Sequence, residues 1–321
     1  MDAQLRQQLV STLWSDVPPV GVSALPLMAH YTSMEALEKI LTSNQIWFSH
    51  PLLMNDHEEV SWGIRNGLIA IEQNETLQAV LDDKFPAFSA SVRLEVEKYG
   101  EEHLFNTCIF CVSEHSEGDN DGRLSMWRGY GGNGTGAAIV FDANRLNFSV
   151  NDSPLMIGKV TYAGQSQRSA WIGNFVNHIQ AQLTRHASSM SECDLAEYAG
   201  IVFDRLKFAA IFYKHNGFRE EAEWRVVYMP ERDTKKKMAA FYGYANGAKG
   251  LEPKLKLPIM PIVDVTADDM SLEKIVNRII LGPSRASGLV LGSALRMLDE
   301  LHHGDLKTRL RVSTIPYRSS V

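Results

Sequence analysis

The sequence is short of the features that mark several common protein classes. Three cysteines in 321 residues, an odd number, argue against a disulfide framework and fit a reducing compartment. No run approaches the roughly 20 consecutive apolar residues that a membrane span needs. The first 14 residues mix polar and apolar side chains and lack the continuous apolar core of a signal peptide. We therefore expect a cytoplasmic protein without a membrane partner.

Excess charge of one sign and a phosphate-binding loop are absent as well. The chain has 32 Lys and Arg residues and 38 Asp and Glu residues, which gives a net charge of −6. This charge does not favour a general nucleic-acid or membrane binder, although a local basic groove is compatible with it. The run Lys235–Lys237 is interpreted as a solvated surface. Gly131–Gly136 is rich in glycine, but it precedes a strand and not the helix of a dinucleotide-binding loop.

No metal site is predicted. Cys108 and Cys111 have the spacing of zinc ligands, but neither a second cysteine pair nor a histidine pair completes such a site. Both lie in residues 107–113, which have the character of a buried strand, and free cysteine is among the most buried residue types.

Helical and strand periodicities follow each other without regular alternation, which predicts an α+β fold. Strands are predicted over 27–31, 45–49, 107–113, 136–141, 157–162, 223–229, 277–281 and 309–316. Helices are predicted over 3–14, from a cap at Thr32 to a stop at Asn44, and over most of 58–104, 167–187, 191–214 and 287–302. We predict one domain over 1–321, with an N-terminal helix in 1–20, helical insertions at 58–104 and 165–215, and a surface excursion at 231–253.

Polar residues at the first strand–helix junction form the first candidate motif. His30, Tyr31 and Thr32 come just before a predicted helix N-terminus, where free backbone N–H groups suit an anion or a ribose. Neutral histidine offers one donor and one acceptor, which matches a ribose diol. The alternative is a packed histidine beside a capping threonine.

Two further motifs have both a structural and a functional interpretation. Asn55 and Asp56, followed by Glu59, are typical of an Asx turn that caps a helix, and such a helix entry often forms the rim of a site. Trp127 and Tyr130 place two aromatic side chains beside a glycine turn. They suit either a wall against a flat ring or ordinary core packing.

The segment Glu221-Ala-Glu223-Trp-Arg225 is the sharpest local pattern. On a strand, residues two apart face the same side, so both carboxylates and the guanidinium would align. A carboxylate held there can stabilise a developing oxocarbenium charge or orient a sugar hydroxyl. Arg225 could hold the glutamates or a phosphate.

From Leu27 to about Tyr317, the chain resembles a bacterial family, domain of unknown function 2971, that is often found beside phage-defence genes. The shared motifs occur here as His30-Tyr31-Thr32, Asn55-Asp56-x-x-Glu59, Ser113-Glu114, Met126-Trp127-x-x-Tyr130-Gly131, Glu221-x-Glu223-Trp224-Arg225 and Ile280-Leu281-Gly282-Pro283. So many spaced motifs in one order make the resemblance specific.

The motif order also resembles ADP-ribosyltransferases of the His–Tyr–Glu type, including the Ile40-Leu41 pair in the helix after the first strand. That resemblance implies a mixed or antiparallel split sheet with flanking and inserted helices, and NAD as the substrate. It implies His30 on the adenosine-side ribose, Tyr130 against nicotinamide and Glu223 on the nicotinamide ribose. Glu221 would position the acceptor.

Three functional hypotheses follow. The first is an NAD-dependent ADP-ribosyltransferase-like effector or toxin that modifies RNA, DNA or protein in anti-phage defence, under an antitoxin or regulatory protein. The residues proposed for it are Glu223, Glu221 and Tyr130 as catalytic residues, and His30, Tyr31, Thr32, Asn55, Asp56, Trp127 and Arg225 as NAD-binding residues. The second is a non-catalytic nucleotide-sensing module. The third, a metal-dependent nuclease using Asp56, Glu221 and Glu223, ranks last because no carboxylate cluster has tight metal spacing.

Overall fold

The computed structural model describes residues 1–17, 25–53, 57–100, 106–146, 153–247, 250–283 and 287–317, with backbone alone at 52, 57–59 and 287. Internal contacts divide the chain into two units. The helical unit comprises Met1–Pro19, Pro51–Thr107 and Thr161–Asn216, and the sheet unit comprises Val20–His50, Cys108–Val160 and Gly217–Val321. The segments predicted as an N-terminal helix and two helical insertions therefore group together in the helical unit.

Most of the predicted elements are present close to their predicted positions, and several short helices and some strands were not predicted. The described α-helices are α1 (Ala3–Leu13), α2 (Met34–Ser43), α3 (His57–Glu72), α4 (Glu75–Leu81), α5 (Phe85–Lys98), α6 (Leu124–Gly129), α7 (Ala143–Leu146), α8 (Gln165–His186), α9 (Glu192–Phe212), α10 (Leu272–Ile275) and α11 (Ser287–Glu300). The strands are β1 (Leu27–Thr32), β2 (Gln45–Ser49), β3 (Cys108–His115), β4 (Ala137–Asp142), β5 (Leu155–Lys159), β6 (Thr161–Tyr162), β7 (Tyr213–Lys214), β8 (Glu223–Tyr228), β9 (Tyr242–Gly247), β10 (Gly250–Pro258), β11 (Val276–Leu281) and β12 (Leu310–Val312). None of these helices is long and apolar enough to cross a membrane, within the ranges that the structure describes.

Apolar side chains from α1, α3, α4, α5, α8 and α9 form the core of the helical unit. Two glycines of α3 allow a close approach to α9. A Cβ at Gly63 would lie 2.9 Å from the Cβ of Ala210, and a Cβ at Gly67 would lie 2.4 Å from a methyl group of Leu206. The short β6 and β7 pair in parallel within the same unit.

The sheet unit contains a ten-stranded mixed sheet. Its described strands follow the order β12-β11-β4-β1-β3-β2-β10-β9, and β8 pairs with both β3 and β5. β11 and β12 run parallel, whereas the other described pairs of this sheet run antiparallel. The predicted α+β class with a mixed sheet is confirmed.

Alternating side chains give the central strands two faces. What we call the α2 face carries Met28 and Phe110, which share a core with Leu37 of α2. The Trp127 face carries Tyr31, which joins a smaller core with Trp127 of α6. Neighbouring residues of one strand therefore reach different environments.

Helix α2 connects β1 to β2. Its N-cap is Ser33, whose hydroxyl accepts a hydrogen bond from the backbone N–H of Ala36 at 3.1 Å. The predicted cap, Thr32, is instead the last residue of β1, where it pairs with Ala137 of β4. Strand pairing thus moves the helix start by one residue. Asn44 takes left-handed angles (φ 52°, ψ 44°) and ends the helix as predicted.

Residues 231–253, predicted as a surface excursion, contain β9 and the first part of β10. β10 pairs with β9 on one side and with β2 on the other, and it buries Leu255 and Leu257. The prediction missed these strands because a half-solvated strand needs apolar residues on one face only, and glycine and lysine fill the other.

Replacing Gly136 by alanine should destabilise the sheet unit. Gly136 precedes β4, and a Cβ there would lie 2.1 Å from the carbonyl oxygen of Thr32 and 2.8 Å from that of Gly131. Backbone atoms cannot move away from the added Cβ as the end of a flexible side chain can. We therefore expect the free energy of unfolding to fall by about 1–3 kcal/mol or more. Urea denaturation measures the change. Gly129→Ala in α6 is the control, because no atom lies within 4 Å of its added Cβ. Equal stability of Gly136→Ala and wild type would contradict this packing.

Candidate functional site

Strand β3 has two partners on one edge and one partner on the other. β1 pairs with β3 over residues 113–115, and β2 pairs with it at Ile109. β8 occupies the opposite edge, because Ile109 and Ser113 each pair with it as well. In the described structure, residues 110–112 have no strand partner on the first edge. The sheet parts there, and we call the space between β1 and β2 the split.

His30 of β1 lies at the split. Its Nδ1 is 3.1 Å from the carbonyl oxygen of Cys111, where β3 has lost its neighbouring strand. A carbonyl oxygen can only accept, so Nδ1 carries the proton and donates it. The ring contacts Phe110 with the centroids 4.7 Å apart. Burial lowers the pKa of His30, so the imidazole is neutral at pH 7.

This hydrogen bond decides what His30 can offer a ligand. The expectation from the sequence is one donor and one acceptor for a ribose diol. The donor is already used on Cys111, so a neutral ring has only the lone pair of Nε2 for a ligand. His30 therefore recognises a hydroxyl or amino group that donates to it.

A cavity of about 240 Å³ lies in the split. β1 contributes His30 and Thr32, β2 contributes Gln45 and Trp47, β3 contributes Phe110, and α2 lines another side. Pockets for drug-sized ligands span roughly 300–1,000 Å³. This cavity therefore suits one nucleoside-sized group better than a whole dinucleotide.

Sequence reasoning did not single out Gln45, Trp47 or Phe110. All three lie on predicted strands. Ile46 and Phe48 are buried, so strand alternation places Trp47 on the opposite face of β2. A large aromatic side chain on the less buried face of a strand was the available signal for Trp47. Phe110, in a run of apolar residues, gave none.

Tyr31 and Trp127 lie on the Trp127 face, with their rings in a T-shaped contact at 4.9 Å. Trp127 is 0% exposed, and its indole N–H donates to the carbonyl oxygen of Asp121 at 2.8 Å. The Tyr31 hydroxyl accepts from the backbone N–H of Arg123 at 2.9 Å. Neither side chain lines the cavity, and both pack in the smaller core of the Trp127 face. Their assignment to NAD binding stays a prediction.

Tyr130 and Glu221 come together from distant parts of the chain. The Tyr130 hydroxyl donates to Oε1 of Glu221 at 2.8 Å, and both side chains are half-buried. Glu221 ends the 3₁₀ helix Asn216–Glu221, whereas β8 begins at Glu223. Between them, Ala222 takes a φ of 41°. The two glutamates therefore do not align on one strand face, which corrects the expected row.

Glu223 and Arg225 form a buried ion pair on β8. Arg225 donates from Nε to Oε1 at 3.0 Å and from Nη2 to Oε2 at 3.3 Å. The two residues are 4% and 3% exposed, and they pair across strands with Ser113 and Cys111 of β3. Their alignment on one face is as predicted. Because the guanidinium neutralises the carboxylate, Glu223 is poorly suited to stabilise a cation on a ligand.

His30 and the glutamates lie on opposite sides of β3. β1 and β8 flank this strand, and two strand spacings amount to roughly 10 Å. Ser113 pairs with both Ala29 and Glu223, so Glu223 belongs to the Trp127 face, while His30 belongs to the α2 face. One ligand that meets both would have to be extended and lie in the split.

Three candidate residues fall outside what the structure describes. Asn55 and Asp56 lie outside the described residues, and Glu59 is described by its backbone alone. The assignment of Asn55 and Asp56 to NAD binding, and that of Asp56 to a nuclease, stay predictions.

The described residues contain no group of three or more His, Cys, Asp or Glu side chains that could hold a metal ion. Cys108 is buried in β3, and burial raises the pKa of its thiol to about 12. A protonated thiol is neither a nucleophile nor a metal ligand at neutral pH.

A family model described as "Protein of unknown function (DUF2971)" matches residues 126–226. The matched stretch runs from α6 to β8 and contains Trp127, Tyr130, Glu221, Glu223 and Arg225. It supports the family that the sequence resembles. No curated protein and no solved structure matches the chain.

Replacing Glu223 by glutamine should destabilise the sheet unit. The variant leaves the Arg225 guanidinium buried without its carboxylate, and breaking a buried pair in this way costs about 3–5 kcal/mol. Glu221→Gln is the matched comparison, because its amide oxygen still accepts from Tyr130 and the expected change is about 1 kcal/mol or less. Urea denaturation measures both. Equal losses would show that Arg225 does not depend on Glu223.

The stability of the sheet unit should depend on pH through His30. Its folded pKa lies below the unfolded value of 6.5, so the unfolded state takes up the proton first as the pH falls. Stabilisation is thus complete above pH 6.5 and is lost as the pH falls towards the folded pKa. Relative to His30→Gln, the wild type should lose up to about 1.4 kcal/mol per pH unit below that point. Urea denaturation of both proteins between about pH 7.5 and 5.5 measures this difference, and parallel curves would refute it.

Proposed function

We propose that the sheet unit binds NAD and cleaves its nicotinamide–ribose bond, passing the ADP-ribose group to a macromolecular acceptor. One observation carries the proposal. His30 of β1 and Glu223 of β8 lie on the two strands that flank β3 beside the split, and Glu221 precedes Glu223 by two residues. The resemblance to ADP-ribosyltransferases assigns these two positions to the two riboses of NAD. Their separation of roughly 10 Å across β3 is within the reach of an extended dinucleotide.

The adenosine end of NAD is assigned to the cavity in the split. His30 Nε2 accepts a hydrogen bond from a ribose hydroxyl there, and Thr32 lines the same wall. The volume of about 240 Å³ takes one nucleoside, so the rest of the dinucleotide extends out of the cavity.

The reacting end is assigned to Glu221. This side chain is half-buried, and Tyr130 fixes one of its oxygens, so a negative charge is held in place. Such a charge stabilises the oxocarbenium ion that forms as the C1′–N bond breaks and its electron pair leaves on nicotinamide. The acceptor's nucleophile then bonds to C1′ and releases its proton to water.

Glu223 receives a positioning role, the reverse of the sequence-based assignment. With 4% exposure and both oxygens on Arg225, its carboxylate is neutralised and out of reach of a ribose. The pair instead anchors the start of β8, two residues after Glu221.

The resemblance to the bacterial family extends the proposal to the acceptor and the biological role of the protein. The acceptor is RNA, DNA or protein, and the chain acts as a toxic effector in anti-phage defence under a regulatory or antitoxin partner. The chemistry above requires only that the acceptor present a nucleophile at the half-buried Glu221.

A nucleotide-sensing module without catalysis is the second candidate. It is favoured by the separation of the two parts of the site. The cavity in the split is complete without either glutamate, so it could bind a nucleotide and do no chemistry.

Release of nicotinamide from NAD tests the proposal. Purified wild type with a cell lysate as acceptor should release nicotinamide, and Glu221→Gln should reduce the rate by roughly 10²–10³, as loss of one transition-state contact does. Glu220→Gln is the matched control, since its side chain is exposed and one residue away. Undiminished release by Glu221→Gln would remove Glu221 from the mechanism.

Two other outcomes separate the candidates. No release by wild type, together with a higher melting temperature in the presence of NAD, would support the sensor. Neither release nor a shift in melting temperature would exclude both.

A further inference from the structure

Trp47 of β2 is the largest side chain lining the split, and its ring is held in one orientation. Its indole N–H donates to Oε1 of Gln45 at 3.0 Å. Lys256 of β10 is its cross-strand neighbour, and the ammonium lies 4.4 Å from the ring centroid. One face of the indole is thus covered by a cation, and the side chain still lines the cavity.

A flat ligand entering the cavity would meet a matching set of groups. The rings of Trp47 and Phe110 offer apolar contact. The amide nitrogen of Gln45 has two N–H donors, and no acceptor for them is found in the described part of the chain. His30 adds one acceptor. Aromatic surface with a few convergent polar groups is the usual composition of a site for a nucleobase.

Charge distinguishes the two ends of NAD. The nicotinamide ring is cationic, whereas adenine is neutral, and both nucleotides carry a phosphate. Lys256 stands over Trp47, and no ion pair of Lys256 is found among the described residues. Lys39, which also lines the cavity, is paired with Glu35 at 2.5 Å. A cationic ring stacked on the other face of Trp47 would be repelled by the Lys256 ammonium, whereas a neutral adenine ring would not.

We infer that the split is an adenine-nucleotide subsite in which the base stacks on Trp47 and Gln45 donates to a ring nitrogen. The inference deepens the proposed function, on which the identification of the whole ligand as NAD rests. It assigns the direction of NAD in the split, with adenine inside and nicotinamide towards Glu221. Trp47 and Gln45 become the residues that determine which base is accepted.

Calorimetric titration with two mononucleotides tests the subsite. AMP and nicotinamide mononucleotide share the ribose and the phosphate and differ in the base alone. Wild type should bind AMP at least tenfold more tightly. Trp47→Ala should weaken AMP binding by roughly 5- to 150-fold, which is what loss of one base-stacking contact corresponds to. Trp47→Phe keeps a ring and should stay within a few-fold of wild type.

The matched control is Tyr244→Ala. Tyr244 lies on β9 of the same unit, is 66% exposed and does not line the cavity, so AMP binding should be unchanged. If Trp47→Ala fails to fold, the Trp47→Phe comparison and the AMP preference of wild type still decide the question.

Three results would overturn the subsite: equal AMP affinity in wild type and Trp47→Ala, tighter binding of nicotinamide mononucleotide than of AMP, or no AMP binding at all. Nicotinamide release by a protein that shows any of these would leave the proposed function standing without the subsite. Trp47-dependent AMP binding without nicotinamide release would establish the subsite and remove the proposed catalysis.

Discussion

The chemistry of the site follows from one hydrogen bond between a side chain and the backbone at the split. Where β1 and β2 diverge from the same edge of β3, His30 donates through Nδ1 to the carbonyl oxygen of Cys111. That single bond fixes the tautomer and the ring orientation, and it leaves Nε2 as the one atom for a ligand. Burial keeps the ring neutral, so the lone pair is available at physiological pH.

The two faces of the central strands have different surroundings. On the Trp127 face, the polar atoms of Tyr31 and Trp127 form hydrogen bonds to the backbone of residues 121–123, and neither side chain lines the cavity. The cavity forms where β1 and β2 diverge, with His30 and Phe110 from the α2 face and Trp47 from the opposite face of β2. A residue such as Tyr31 can therefore sit next to His30 in sequence and belong to a different part of the molecule. Adjacent motif residues share a strand, and the pleat separates them.

The sequence predicted most of the elements and part of the site. Apolar periodicity located the strand that became β3, and Asn44 marked the end of α2, because both signals are local. The pairing of strands that are distant in sequence could not be predicted. Thr32 looked like a helix cap until its pairing with Ala137 made it a strand residue. The role of Trp47 depends on its neighbour β10, which was not predicted because its segment is polar. It also depends on the split between β1 and β2, which no local sequence pattern predicts.

The position of Arg225 shows why identical glutamates two residues apart are not equivalent. A carboxylate stabilises a cation on a ligand only if no other group already neutralises its charge. Arg225 neutralises the charge of Glu223 inside the fold. The left-handed turn at Ala222 sends Glu221 away from the strand face that carries this pair, towards the hydroxyl of Tyr130. The same short segment thus contains one carboxylate that pairs with a guanidinium inside the fold and one that accepts a hydrogen bond from a phenol. The backbone reversal at Ala222 separates the two positions.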